Sequence, residues 1–184
     1  ASDVYKRQII NCWAFYNGYK PNSLDAAGNG TGFKAGGYGM STTTLPKLPS
    51  VIPQHEVRGC LAYYKRDRGF YANNHLGGII FENNTVAASG SNFDMRNRKD
   101  GITLPPEDIS GYDHIIRNNL SFAGERGSTI LEMLNRGKST VENNSFDLID
   151  VLADTDFLSL DETELLKERK ADGSLPDINF LRLT

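Results

Sequence analysis

One short pattern returns five times along the chain: an apolar or β-branched residue, a variable residue, Asn or Gly, then an apolar or small run. It reads Ile9-Ile10-Asn11-Cys12-Trp13, Val57-Arg58-Gly59-Cys60-Leu61, Phe81-Glu82-Asn83-Asn84-Thr85, Ile116-Arg117-Asn118-Asn119-Leu120 and Val141-Glu142-Asn143-Asn144-Ser145. With Asn11, Gly59, Asn83, Asn118 and Asn143 as phase markers, the steps are 48, 24, 35 and 25 residues. The short steps set a unit near 24 residues, and the long ones are that unit with loops inserted. Such a unit holds several short strands and no amphipathic helix. This predicts an all-β chain, a right-handed parallel β-helix whose coils stack at about 4.8 Å.

A second strand follows each first one in a constant phase: Gly32-Phe33-Lys34-Ala35, Gly69-Phe70-Tyr71-Ala72 and Asn92-Phe93-Asp94-Met95. Alternation puts Phe33 and Ala35 inside the coil and Lys34 outside, with Tyr71 and Asp94 on the same outer face. The 16 Asn and 18 Gly suit tight turns, and stacked Asn side chains at Asn83, Asn118, Asn143 and their neighbours are expected to form a hydrogen-bonded ladder. Inserted loops fall in 17–31, 38–54 and 96–112. One late α-helix is expected from the capping box Ser159-Leu160-Asp161-Glu162 to the stop at Gly173. Residues 1–8 read as a leader outside the fold, 9–150 as the coils, and 151–184 as a C-terminal helix and tail packing on them. The abrupt start and apolar end suggest a piece of a longer protein.

At 184 residues the chain can bury a core, and no apolar run is long enough for a membrane-spanning helix. Two Cys exclude a disulfide-dense scaffold; Cys12 and Cys60 share a repeat position and are expected to stack as thiols, with a disulfide the alternative. The net charge of −3 hides 12 basic and 7 acidic residues in 1–100, against 8 and 16 in 101–184. A positive half suits a polyanion, with scattered solvated charge the alternative.

The run Trp13-Ala14-Phe15-Tyr16-Asn17-Gly18-Tyr19, followed by Gly28-Asn29-Gly30-Thr31-Gly32-Phe33-Lys34-Ala35-Gly36-Gly37, is the most distinctive in the chain. It resembles the central signature of polysaccharide lyase family 9, the pectate lyases. The likeness continues in His55-Glu56-Val57, Gly69–Asn74, Glu82–Thr85 and Arg169–Pro176. The resemblance implies a β-helix that cleaves polygalacturonate by calcium-assisted β-elimination, with Lys34 as the base. It also implies Ca²⁺ ligands that fall before residue 1, so the fragment alone is expected to be inactive. The substrate is then an acidic polysaccharide, with no nucleic acid or membrane partner, acted on by a secreted or periplasmic monomer.

The chemistry is consistent with that assignment. β-Elimination needs a base for the C5 proton of a uronate and a cation for its carboxylate. A Lys acts as base only when neutral, which neighbouring cations or desolvation favour. Arg66, Arg68 and Arg96 are candidates to grip substrate carboxylates, and Tyr71 to stack on a sugar. Solvated surface residues are the alternative for these four. The motif glycines read as clearing space around Lys34. His55, His75 and His114 lack metal spacing, while Asp147, Asp150, Asp154 and Asp156 are mainly turn acids with a cation site as the alternative. Two rivals remain: a β-helix that binds acidic polysaccharide without cleaving it, and a glycoside hydrolase, which needs paired carboxylates.

Overall fold

The computed structural model describes residues 6–37, 48–148 and 151–184, and the chain divides into two compact units, 1–148 and 149–184. In the first unit three parallel sheets wrap one core. The first contains β1 (Gln8–Ile10), β4 (His55–Arg58), β7 (Ile79–Glu82), β12 (Ile115–Arg117) and β15 (Thr140–Glu142) in that order. The second contains β2 (Trp13–Phe15), β5 (Leu61–Tyr63), β8 (Thr85–Ala87) and β13 (Leu120–Phe122). The third contains β3 (Phe33–Lys34), β6 (Arg68–Tyr71), β9 (Ser91–Asp94) and β14 (Thr129–Glu132). Each of the first four coils contributes one strand to each sheet, and a fifth adds β15 to the first sheet, which is a parallel β-helix. An antiparallel arm, β10 (Asn97–Arg98) with β11 (Asp108–Ile109), leaves the third coil.

Strand register follows the repeat. Ile9, Val57, Phe81, Ile116 and Val141 stack directly on one another, so the 48-, 24-, 35- and 25-residue steps are the true coil lengths. Phe33, Phe70 and Phe93 stack with ring centroids 5.1 and 5.2 Å apart and nearly parallel planes, and Leu131 continues the column. Each stacked pair adds about 1 kcal/mol beyond its buried area.

The Asn excess has two separate causes. Asn11, Gly59, Asn83, Asn118 and Asn143 all have φ between 52° and 59°, the left-handed corner that Asn and Gly occupy at least cost. The ladder is built by their neighbours. Asn84 N donates to Asn119 Oδ1 and Asn119 N to Asn144 Oδ1, each at 3.0 Å, while Asn119 Nδ2 donates to Phe81 O at 2.9 Å. Sulfur takes over at the first rungs: Cys12 N donates to Cys60 Sγ at 3.4 Å, and both cysteines are free thiols. Burial pushes the Cys60 thiol up to about 11.

The leader set aside in the sequence reading extends too far. Gln8 opens β1 and pairs with Glu56, Glu56 N donates to Arg7 O, and Lys6 forms an ion pair with Glu56 at 2.6 Å. Residues 6–8 therefore belong to the first coil; residues 1–5 lie outside the described residues. The expected helix over 159–173 is also shorter than read. In the second unit Glu162–Leu166 is a single 3₁₀ turn capped by Asp161, which accepts from Thr163 N. Only Leu165 of that turn is buried, so there is no apolar face to carry a longer helix. Among the described residues the α-helical turn is α1 (Ser145–Leu148) in the first unit. Phe157, Phe180 and Leu181 are also buried in the second unit, whose backbone bridges join Phe157 to Leu183 and Ser159 to Phe180.

The two roles of Asn are separable by mutation. Asn119→Ala leaves Asn84 N and Phe81 O of the coil before without their side-chain partner and is expected to cost about 3 kcal/mol in denaturant unfolding. Asn118→Gly keeps the left-handed corner and is expected to change stability by less than about 1 kcal/mol.

Candidate active site

Parallel pairing sets one outward row across the third sheet: Lys34 beside Tyr71, Tyr71 beside Asp94, Asp94 beside Glu132. Phe33 anchors the two-residue strand β3 from inside, so the adjacent Lys34 must point out, and it is exposed. Lys34 makes no ion pair among the described residues, which leaves its amine available to a ligand. A cleft of about 180 Å³ beside it is lined by Arg7, Gly36, Gly37, His55 and Glu56, among others.

The centre of the row is a charge network. Asp94 is wholly buried. It accepts from Arg68 Nε, from Arg96 Nε at 2.9 Å and from Arg96 N at 3.2 Å. Arg68 also binds Asp67, and Arg96 reaches Glu132 at 3.6 Å. Burial, and then the charge of Asp94, push the Glu132 carboxyl above its ordinary value. Each guanidinium has five N–H donors, so both keep donors for a ligand carboxylate.

Two candidates sit differently from the sequence reading. Tyr71 is buried, its ring covered by the Arg68 guanidinium at 4.5 Å and its hydroxyl donating to Asn74 Oδ1 at 2.6 Å. It therefore supports Arg68 and has no ring face for a sugar. Arg66 lies off the row, at the corner before β6, with Nη2 donating to Gly28 O at 2.8 Å. The motif glycines serve coil contact rather than space around Lys34. A Cβ on Gly32 would stand 2.7 Å from Gly69 O, and one on Gly36 2.7 Å from Ala72 O.

Asp67, Asn74, Glu132 and Lys65 were not singled out from the sequence. Glu132 carried a signal, since it follows Asp94 by one coil, but Leu131 replaces the Phe that marks the other third strands. Lys65 carried none. It is fully buried, its Nζ makes no hydrogen bond, and its Cε lies 3.2 Å from where a Cβ on Gly32 would be. Desolvation lowers its pKa to about 7. Burial thus makes Lys65 far easier to deprotonate than an exposed lysine, but it is closed off from the surface.

The other groups are structural. His114 Nδ1 accepts from Ile79 N at 3.0 Å and its Nε2 donates to Met95 O at 2.9 Å, with burial lowering its pKa to about 4. His75 Nε2 donates to Pro53 O at 2.8 Å, and His55 Nδ1 accepts from Arg7 N at 3.1 Å. Asp147 accepts from Asn144 and Arg136, Asp156 caps its own turn at Ala153 N, and Asp150 lies outside the described residues. Among the described residues no three His, Cys, Asp or Glu side chains are placed to hold a metal ion. No helix among them is long and apolar enough to cross a membrane.

The coil stack, with Lys34 and the acid-anchored Arg68 and Arg96 on the side of the third sheet, defines a parallel β-helix with a charged outer face. Residues 3–119 match the family model "Pel9A-like, right handed beta helix region", and residues 135–184 match "Rhamnogalacturonan lyase-like, C-terminal". The chain belongs to the Pel9A-like right-handed β-helix family. It is 32% identical over 177 residues to pectate lyase L of Dickeya chrysanthemi and 30% identical to that of Dickeya dadantii, covering 96% of this chain and 35% of each relative. A solved rhamnogalacturonan lyase superposes with a TM-score of 0.94 at 59% identity, over 97% of this chain and 42% of that one. The crystal structure of pectate lyase Pel9A gives 0.69 at 29% identity, over 97% and 38%. The chain thus spans about a third of the length of its curated relatives.

Lys65 sets a pH dependence of the fold. Unfolded, it titrates near 10.5, and folded near 7, so between those values the unfolded chain holds more protons and stability rises with pH. Below about 7 the penalty is complete and amounts to a few kcal/mol. Lys65→Met is expected to raise the melting temperature at pH 7 by about 5 °C and to flatten its rise from pH 7 to 10. Thermal melts across that range check both.

Proposed function

We propose that the protein carrying this chain cleaves a uronate-containing pectic polysaccharide by β-elimination, with Lys34 as the base. The observation that carries this is the row on the third sheet. An exposed lysine with no ion pair among the described residues stands in register with Tyr71 and with the buried Asp94, which fixes two arginines. The Lys34 amine, when neutral, takes the C5 proton, the C4–O bond breaks, a C4–C5 double bond forms, and the departing oxygen takes a proton from water. Arg68 and Arg96 bind the uronate carboxylate, whose charge grows as the proton leaves. Hydrolysis fits this row less well, because Asp94 is committed to both arginines and cannot pair with Glu132 as acid and base.

The likeness to the rhamnogalacturonan lyase at 59% identity favours a backbone in which galacturonate alternates with rhamnose as substrate. The likeness to pectate lyase L favours polygalacturonate as the second reading. Both put a uronate at the base. The proposal includes Ca²⁺, a Lewis acid for the uronate carboxylate, held by residues that precede this chain. The described residues offer no such ligand set, and no step above uses it. We further assign the whole protein to the secreted or periplasmic compartment, as a monomer.

In the full-length protein, Lys34→Ala is expected to lower turnover by at least about a thousandfold while leaving polymer binding within about twofold. The product of the unmodified enzyme should carry an ultraviolet-absorbing unsaturated end, formed faster from rhamnogalacturonan than from polygalacturonate. A saturated product would identify a hydrolase, and no product with tight binding a non-catalytic module. Chelation of divalent cations should abolish turnover, and Ca²⁺ should restore it; full activity in a chelator would remove calcium from the reaction.

A further inference from the structure

Eight arginines of the first unit are anchored in one of two ways. Arg58, Arg68, Arg96, Arg98, Arg117 and Arg136 are each fixed by a carboxylate. Arg66 and Arg126 are fixed by backbone carbonyls instead. Arg66 Nη2 donates to Gly28 O at 2.8 Å, and Arg126 Nη1 donates to Lys65 O at 2.9 Å and Ala88 O at 3.4 Å. Both side chains are exposed, and neither pairs with an acid among the described residues. A carbonyl holds a guanidinium in place without cancelling its charge. These two are pre-organised cations with their charge uncompensated.

They share one corner of the coil. Arg126 bonds the carbonyl of the residue preceding Arg66, and it lies over the rings of Tyr64 at 4.9 Å and Tyr19 at 5.9 Å. Arg66 packs against Gly18, next to Tyr19. Tyr16 and Tyr64 stack at 4.9 Å. Both adopt left-handed backbone, φ 55° and 50°, where a bulky side chain is strained. At the opposite corner the same conformation is filled by Asn and Gly. The conformation recurs at Ala88 one coil on, so it belongs to the repeat, and at this corner it sets the stacked Tyr16 and Tyr64, with Tyr64 and Tyr19 beneath Arg126.

We propose that Arg66, Arg126 and the tyrosines Tyr19 and Tyr64 form a second carboxylate-binding site, which holds a uronate of an acidic polysaccharide away from the Lys34 row. The choice of ligand rests on the polysaccharide reading above, while the anion site rests on the two guanidiniums. Its role is to tether a long chain while a distant stretch is cut. The site takes no part in the bond-breaking step.

The test is calorimetric binding of long polygalacturonate and of rhamnogalacturonan to the full-length protein carrying Lys34→Ala, at low and moderate salt. Adding Arg66→Gln and Arg126→Gln together is expected to weaken binding of the favoured polymer at least about tenfold, the worth of one charge-assisted hydrogen bond. The salt dependence of binding should fall with it. Since Arg126 also bonds two carbonyls, Arg66→Glu, at an exposed side chain, is the second variant and is expected to weaken binding by as much. Binding unchanged in both variants would overturn the second site and leave the lyase reading standing. Failure of the Lys34→Ala protein to bind either polymer would overturn both.

Discussion

Everything in the first unit depends on one constraint: each coil must sit on the last in the same register, one strand spacing away. The amide ladder of Asn84, Asn119 and Asn144 enforces it, because each side chain donates to the backbone of the coil before it, and those of Asn84 and Asn119 also donate to the Asn side chain of the coil after. A slip by one residue would break these bonds and turn the phenylalanine column outward. The chemistry on the outside inherits that precision. Lys34, Tyr71, Asp94 and Glu132 are neighbours only because Phe33, Phe70, Phe93 and Leu131 are stacked behind them.

The same constraint explains what was legible in the sequence. Coil lengths, the inward Phe column and the outward Lys34 follow from phase alone, since inward and outward residues alternate and the phase marker repeats. Loops could be subtracted because they enter at corners and leave the register intact. What the phase does not carry is the contact between long side chains. That Arg68 lies over Tyr71, or that Asp94 holds two arginines, depends on rotamers spanning two coils. Lys65 was invisible for a related reason: in sequence it is one basic residue before two more, and only the coil corner turns it inward.

The helix misread over 159–173 has another origin. Its capping signal is real, and Asp161 does cap the turn. Capping stabilises a helix that has something to pack against, and here a single leucine supplies that. The leader misread is the converse case, where polar residues 6–8 looked unstructured but are fixed by backbone pairing and by Glu56. Local composition misled at both ends, while the repeat did not.

The ladder is not uniform. Between the second, third and later coils its rungs are amides, but between the first and second coil the rung is the Cys60 thiol, a weaker acceptor at a longer distance. Lys34 rides on the first coil, Arg68 on the second and Arg96 on the third. The sulfur rung therefore lies between the proposed base and the groups proposed to hold its substrate. The joints beyond it in the ladder have amide rungs, so on that reading the gap between proton acceptor and carboxylate grip is spanned by a sulfur contact, the softer of the two acceptors.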